Sequence, residues 1–271
     1  MHFKPALRLG LTSIALGILA ACASGPSDHI SLIPIQTDAQ TSKEGLFTQA
    51  IKWKHTKPEC QGDCPTLELD SIVFPGVPKL TELVDHALAM MTGLNETGAP
   101  PYFTIKDYED YFWKTAAPRD STLLAAKTRY RNNSLTVIEL NSWQYLTGSA
   151  HGISATQFLN WDNRAGKVLG LERILQPGQY DGYVAALRQA HSTWRASHPD
   201  ARRDLDAFNR MWPFQVSDNF GFTDHGLIVK YDSYQLAPYS SGQPELLIPY
   251  AALQGVLRPE FMPSLKASDP R

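Results

Sequence analysis

Cysteine is scarce, with three in 271 residues, at Cys22, Cys60 and Cys64. That excludes a disulfide-dense scaffold and a four-cysteine zinc site, so stability has to come from an apolar core. An excess of one charge is also missing. Lys plus Arg number 25 against 27 Asp plus Glu, a net charge of −2, and the longest basic run is the pair Arg202-Arg203. Nucleic-acid phosphates need clustered cations, so no nucleic acid is expected as a partner. No apolar run approaches the roughly twenty residues of a membrane-spanning helix. Gly-x-Ser-x-Gly, Gly-x-Gly-x-x-Gly and a phosphate loop are absent too, Gly166-Lys167 lacking the upstream glycine. A serine nucleophile on an elbow and nucleotide binding are therefore unsupported. What remains is 43% hydrophobic and 19% charged, the composition of a folded chain that buries roughly 70–75% of its unfolded surface.

The N-terminus carries an address. Lys4 and Arg8 precede an uncharged stretch from Leu9 to Leu19, which runs into Ala20-Ala21-Cys22. A positive start, a short apolar segment and small residues describe a secretory signal. Leu19-Ala20-Ala21-Cys22 resembles the bacterial lipobox, whose cysteine is acylated and becomes the new N-terminus. The resemblance implies a signal peptide over 1–21 and a lipid on Cys22, a membrane partner by anchorage rather than by spanning. Ala23 is not the aspartate that retains such lipoproteins at the inner membrane, so the expected place is the outer membrane, facing the periplasm. Residues 22–45, rich in Ser, Pro, Gly, Asp and Thr, read as a tether. Outside the cytoplasm, Cys60 and Cys64 in Cys60-Gln61-Gly62-Asp63-Cys64 favour a structural disulfide; a zinc half-site and a redox pair are the weaker readings.

Apolar spacing sets the rest. Residues Leu46–Thr56 and Leu67–Phe74 read as two antiparallel strands with the cysteine loop between them. Leu80, Leu83, Val84, Ala87, Leu88 and Met91 recur at helical spacing between Pro78 and Gly93. A second helix starts at the capping box Thr104-Ile105-Lys106-Asp107, with Ile105, Tyr108 and Phe112 on one face, and stops before Pro118. Period-two segments at Thr122–Tyr130, Leu135–Leu146 and Ile153–Trp161 predict an antiparallel meander. Tyr183, Leu187, Ala190 and Trp194 predict a third helix, ended by Pro199. Strands follow around Gly221–Thr223, Leu227–Tyr231 and Glu245–Ile248, then a short helix over Tyr250–Leu257. The fold class is α+β, an antiparallel sheet with helices packed on it in two intertwined subdomains, 46–118 and 119–260, with a tail over 261–271.

Two stretches carry a family resemblance. Gly148-Ser149-Ala150-His151-Gly152 with Asn160-Trp161-Asp162 resembles the central motif of the RsiV-like domain. Phe222-Thr223-Asp224-His225-Gly226-Leu227, Tyr234-Gln235-Leu236-Ala237-Pro238-Tyr239-Ser240-Ser241-Gly242 and Leu247-Ile248-Pro249-Tyr250 are similar to that family's later elements. The N-terminal half looks like the non-catalytic part of PdaC. The resemblance covers roughly Leu46–Leu257 and implies a binding module, since the external domain of RsiV binds lysozyme. Lysozyme or peptidoglycan is thus the implied partner. The sigma-binding and deacetylase parts of those relatives have no counterpart here.

Candidate ligand-surface residues are His151, Tyr234 and Tyr239, because tyrosine joins apolar area to a polar tip. Tyr250 is read as structural. His151, between glycines with Ser149 nearby, is more simply a turn residue than a catalyst, and no activity, cofactor or metal is expected. His191 and His198, seven apart, lack ligand spacing and read as solvated surface. An envelope hydrolase or deacetylase using His151, and a structural assembly lipoprotein, stand as alternatives.

Overall fold

The computed structural model describes residues 47–93 and 100–263. The signal over 1–21, Cys22, the tether, and most of the tail lie outside the described residues. A six-stranded sheet runs in the order β1 (Gln49–Thr56), β2 (Thr66–Val73), β3 (Ser121–Arg131), β4 (Leu135–Tyr145), β5 (Ile153–Asp162) and β6 (Lys167–Val168). A three-stranded sheet follows, β7 (Phe220–Phe222), β8 (Gly226–Lys230) and β9 (Glu245–Pro249). The α+β class holds, and the larger sheet is mostly antiparallel.

One pair is parallel, however: β2 and β3, with Leu67 opposite Thr122. The reason is the connection. Between these strands the chain makes α1 (Pro78–Met90) and α2 (Ile105–Thr115), and such a crossover returns the chain to the same end, so the next strand runs in the same direction. Helix α2 begins with the capping box in place, the Thr104 side chain accepting from the Asp107 amide and Asp107 reaching back. Because β1, β2 and β3–β6 share one sheet, hydrogen bonds run without interruption across residue 118.

Strand β4 is buried on both faces. Ile138 and Leu140, with Leu67, Leu124, Leu159 and Trp161, pack under α1 and α2. Leu135 and Val137 face the other way, with Phe158, onto Phe220, Phe222, Val229 and Tyr183. Two-sided burial explains the near-continuous apolar run of β4, since alternation marks a strand wet on one side. The second core is closed by α3 (Leu171–Ile174) and α4 (Tyr180–Ser197).

Cys60 and Cys64 are bonded in the β1–β2 connection, as the loop composition suggests. Two short helices escape sequence periodicity: α5 (Pro199–Arg203) and α6 (Leu205–Met211). Their order comes from side-chain caps, His198 accepting from the Asp200 amide and Asp204 from that of Ala207. The terminal helix expected over Tyr250–Leu257 is instead a 3-10 turn at Tyr250–Leu253, because Gly255, at φ 75°, breaks the run.

Among the described residues no other strand covers most of the outer edge of β5, since β6 pairs only with Trp161 and Asp162. Side chains take over there. Asp232 Oδ1 accepts from the Thr156 amide at 2.7 Å, and Asn219 Oδ1 from the Phe158 amide at 2.7 Å. The edge is thereby blunted without a seventh strand.

Candidate functional site

His151 is far in sequence from Tyr234 and Tyr239, and the three meet on one exposed face. The β4–β5 loop passes tightly behind them: a Cβ on Gly152 would lie 2.3 Å from the Trp143 indole, so only glycine fits and its neighbour His151 is turned outward. Nδ1 of His151 lies 2.9 Å from the Gly152 carbonyl. A carbonyl can only accept, so Nδ1 carries the proton and Nε2 accepts from the Tyr234 hydroxyl at 2.9 Å. The imidazole stacks on Tyr239, centroids 4.1 Å apart and planes 21° apart. Tyr234 and Tyr239 are 5.7 Å apart, and Trp212 lies 6.4 Å from Tyr234.

Backbone and core hold these rings out. Tyr234 has φ 71°, a left-handed conformation that costs a bulky residue about 1 kcal/mol or more. It is fixed by the Gln235 amide donating to the Asp232 carbonyl and by Gln215 Nε2 donating to the Gln235 carbonyl at 2.9 Å. Leu236 and Ala237 are buried, Ala237 packing with Ala201 and Phe208 beside Trp194 and Trp212. Pro238 then leads into the 3-10 turn Tyr239–Ser241, closed by Gly242 at φ 69°. The Ala-Pro-Tyr element is thus both an anchor and a display: Ala237 is in the core and Tyr239 half out. The Ser241 hydroxyl meets His198 Nε2 at 3.0 Å.

Tyr231 and Tyr250 are structural. Tyr231 donates to the Gln215 carbonyl at 2.8 Å and Tyr250 to that of Thr223 at 2.9 Å. Burial raises the pKa of both phenols, that of Tyr250 to about 12. Trp212 escaped sequence reasoning because Arg210-Met211-Trp212-Pro213 carries no motif. Among the described residues no three His, Cys, Asp or Glu side chains converge, and no helix is long and apolar enough to cross a membrane.

His191 is a correction: it is not solvated surface but 3% exposed, packed against Phe214 and Trp194. The face of α4 that carries Tyr183, Leu187 and Ala190 also carries residue 191, so it points inward. Burial first, then Arg195 and Arg188, hold its pKa below the usual 6.5. The folded protein therefore resists a proton that the unfolded chain accepts. Stability from this residue is complete above about pH 6.5 and declines as pH falls below it. The urea-unfolding profile of His191→Leu is expected to be flatter than that of the native protein between about pH 5 and 7. Parallel profiles would contradict the neutral assignment.

A solved structure of a DUF3298 family protein from Pseudomonas aeruginosa PAO1 is 37% identical, covering 80% of this chain and 97% of that one, with a TM-score of 0.73. The chain belongs to the DUF3298 family. The family model, described as a protein of unknown function (DUF3298), matches residues 172–251, a stretch that holds Trp212, Tyr234 and Tyr239 but not His151. A DUF3298 member from Bacteroides fragilis NCTC 9343, 21% identical over 79% of this chain and 94% of its own, has a TM-score of 0.59 and shares the fold. No curated protein matches. These matches establish DUF3298 membership and do not reach the narrower RsiV-like or PdaC-like groups.

Proposed function

We propose that this DUF3298 protein is a binding protein of the cell envelope, held to the outer membrane by lipid on Cys22, that recognises its partner through the His151–Tyr234–Tyr239 face. The observation that carries this reading is the cluster of three rings at an exposed surface, His151 stacked on Tyr239 and Tyr234 tilted against both, backed by Gly152, Ala237 and Pro238. Preorganised aromatic side chains with polar tips concentrate binding energy, because little ordering cost is left for the moment of association. A binding role for His151 is favoured by its partners: a carbonyl and a phenol occupy its two nitrogens, and among the described residues no carboxylate is hydrogen-bonded to it to hold an imidazolium. The partner is a lysozyme-like muramidase or peptidoglycan, which the RsiV resemblance suggests.

Calorimetric titration of the purified protein with a c-type lysozyme, and separately with peptidoglycan fragments, is the test. Saturable binding to one of them is expected, weakened roughly thirtyfold by Tyr239→Ala, as befits an interface hot spot of about 2 kcal/mol. Binding unchanged in Tyr239→Ala and Tyr234→Ala would move the site elsewhere, and no heat with either ligand would overturn the reading.

A further inference from the structure

A sizeable cleft lies apart from the aromatic face. It encloses about 550 Å³ and is walled by residues near the β3–β4 and β5–β6 turns, α3, the β7–β8 turn and the chain after Tyr250. Three arginines line it: Arg164, Arg173 and Arg258. None of them forms an ion pair among the described residues, although Arg129, Arg119 and Arg203 each do. Carboxylates line the same cleft. That of Asp162 is spent on its own turn, accepting from the Arg164 and Ala165 amides at 2.9 Å. Asp224 and Glu260 likewise form no ion pair among the described residues.

Charges of both signs thus stand around one cleft without pairing with one another, Asp224 receiving the Tyr130 hydroxyl. A solute that carries both signs can bridge them. Arg258 is built for such a role, since its Nε donates to the Leu175 carbonyl at 2.9 Å and its amide to that of Ile174. Those bonds fix the guanidinium root and leave its terminal nitrogens uncommitted, an arrangement suited to a forked grip on a carboxylate. Tyr250, held by its bond to Thr223, adds a firm apolar wall. The volume is that of pockets that enclose small molecules.

We infer that this cleft binds a short zwitterionic peptide, its carboxylate held by Arg164, Arg173 and Arg258 and its ammonium by Asp224 and Glu260. The inference is independent of the aromatic face. The probe is the tripeptide L-alanyl-γ-D-glutamyl-meso-diaminopimelate, titrated by calorimetry into the full-length protein in detergent, beside its fully N-acetylated form and inorganic phosphate. The tripeptide is expected to bind saturably, with the acetylated form at least about tenfold weaker. Arg164→Gln combined with Arg173→Gln should weaken the tripeptide by a similar factor. Both side chains are exposed, so the thermal midpoint should stay. No saturation up to about 10 mM tripeptide, equal binding of the acetylated form or of phosphate, or indifference to the double variant would each overturn it.

Discussion

Lys230→Ala is expected to lower unfolding free energy by about 3–5 kcal/mol, read as a fall in the urea midpoint at unchanged slope. Lys230 and Glu139 are 9% and 1% exposed and meet at 2.5 Å. They join β8 of the small sheet to β4 of the large one. Lys127 and Arg129 approach the same carboxylate at 3.4 and 3.5 Å, and Glu245 reaches both Arg129, at 2.8 Å, and Lys230, at 3.5 Å. Removing the lysine leaves a carboxylate inside the protein with only its longer, more exposed partners, and the desolvation cost of Glu139 is then poorly offset. The pair itself need not be worth that much: replacing Glu139 and Lys230 together by leucine and methionine should recover much of the loss. A double variant as weak as Lys230→Ala would show that the pair is favourable in its own right. Burial pushes the Glu139 pKa up, but the Lys230 hydrogen bond and charge outweigh it and hold the carboxyl below its usual range. A lowered acid stabilises above its ordinary pKa of about 4.5 and loses that contribution as pH falls. The acid limb of the stability profile should therefore be shallower in the double variant.

Asn219→Ala is expected to cost about 2–4 kcal/mol, although the side chain is neither charged nor fully buried. Its Oδ1 accepts from the Phe158 amide at 2.7 Å, while Nδ2 donates to the Thr156 and Lys230 carbonyls at 2.9 and 3.0 Å. One side chain thus makes, beside Asp232, the bonds a neighbouring strand would make along the β5 edge. Alanine strands a backbone donor and two acceptors at once. Asn219→Asp should be at least as costly, since a carboxylate cannot donate and would face two carbonyl oxygens. Hydrogen exchange gives the local readout: the Phe158 amide should lose protection in both variants before the central strand β4 does. Unchanged protection at Phe158 would mean that water replaces the side chain at little cost.

Much of this architecture was legible because it is periodic. Leu80 to Met91 and the Thr104–Asp107 box announce α1 and α2 through spacing and capping, both local properties of the chain. Cys60 and Cys64 were legible as a pair for the same reason, being separated by a loop that can close on itself. His151, Tyr234 and Tyr239 could each be singled out by residue type, yet nothing in the sequence says that the first meets the others 83 or more residues later. Short helices such as α5 and α6 are invisible to periodicity, since five to seven residues give too few turns for a pattern. His191 was misread because one polar residue on an apolar stripe looks like an interruption of it, whereas packing on Phe214 and Trp194 makes it part of the core.

The sequence by itself determined the α+β class, nearly every element of the two cores, the disulfide and the side chains from which a recognition face could be built. Local chemistry suffices for these: apolar period, turn residues, caps and loop closure act within a dozen residues. Only the tertiary structure decided that β2 and β3 run parallel, that Glu139 meets Lys230, that Asn219 and Asp232 finish the β5 edge, and that His151 stacks on Tyr239 beside Tyr234. Each of those depends on how the small sheet and the β4–β5 hairpin come together. That placement is set by the summed burial of Val137, Phe158, Phe220 and their neighbours, a non-directional force that fixes where surfaces meet without being written at any single position.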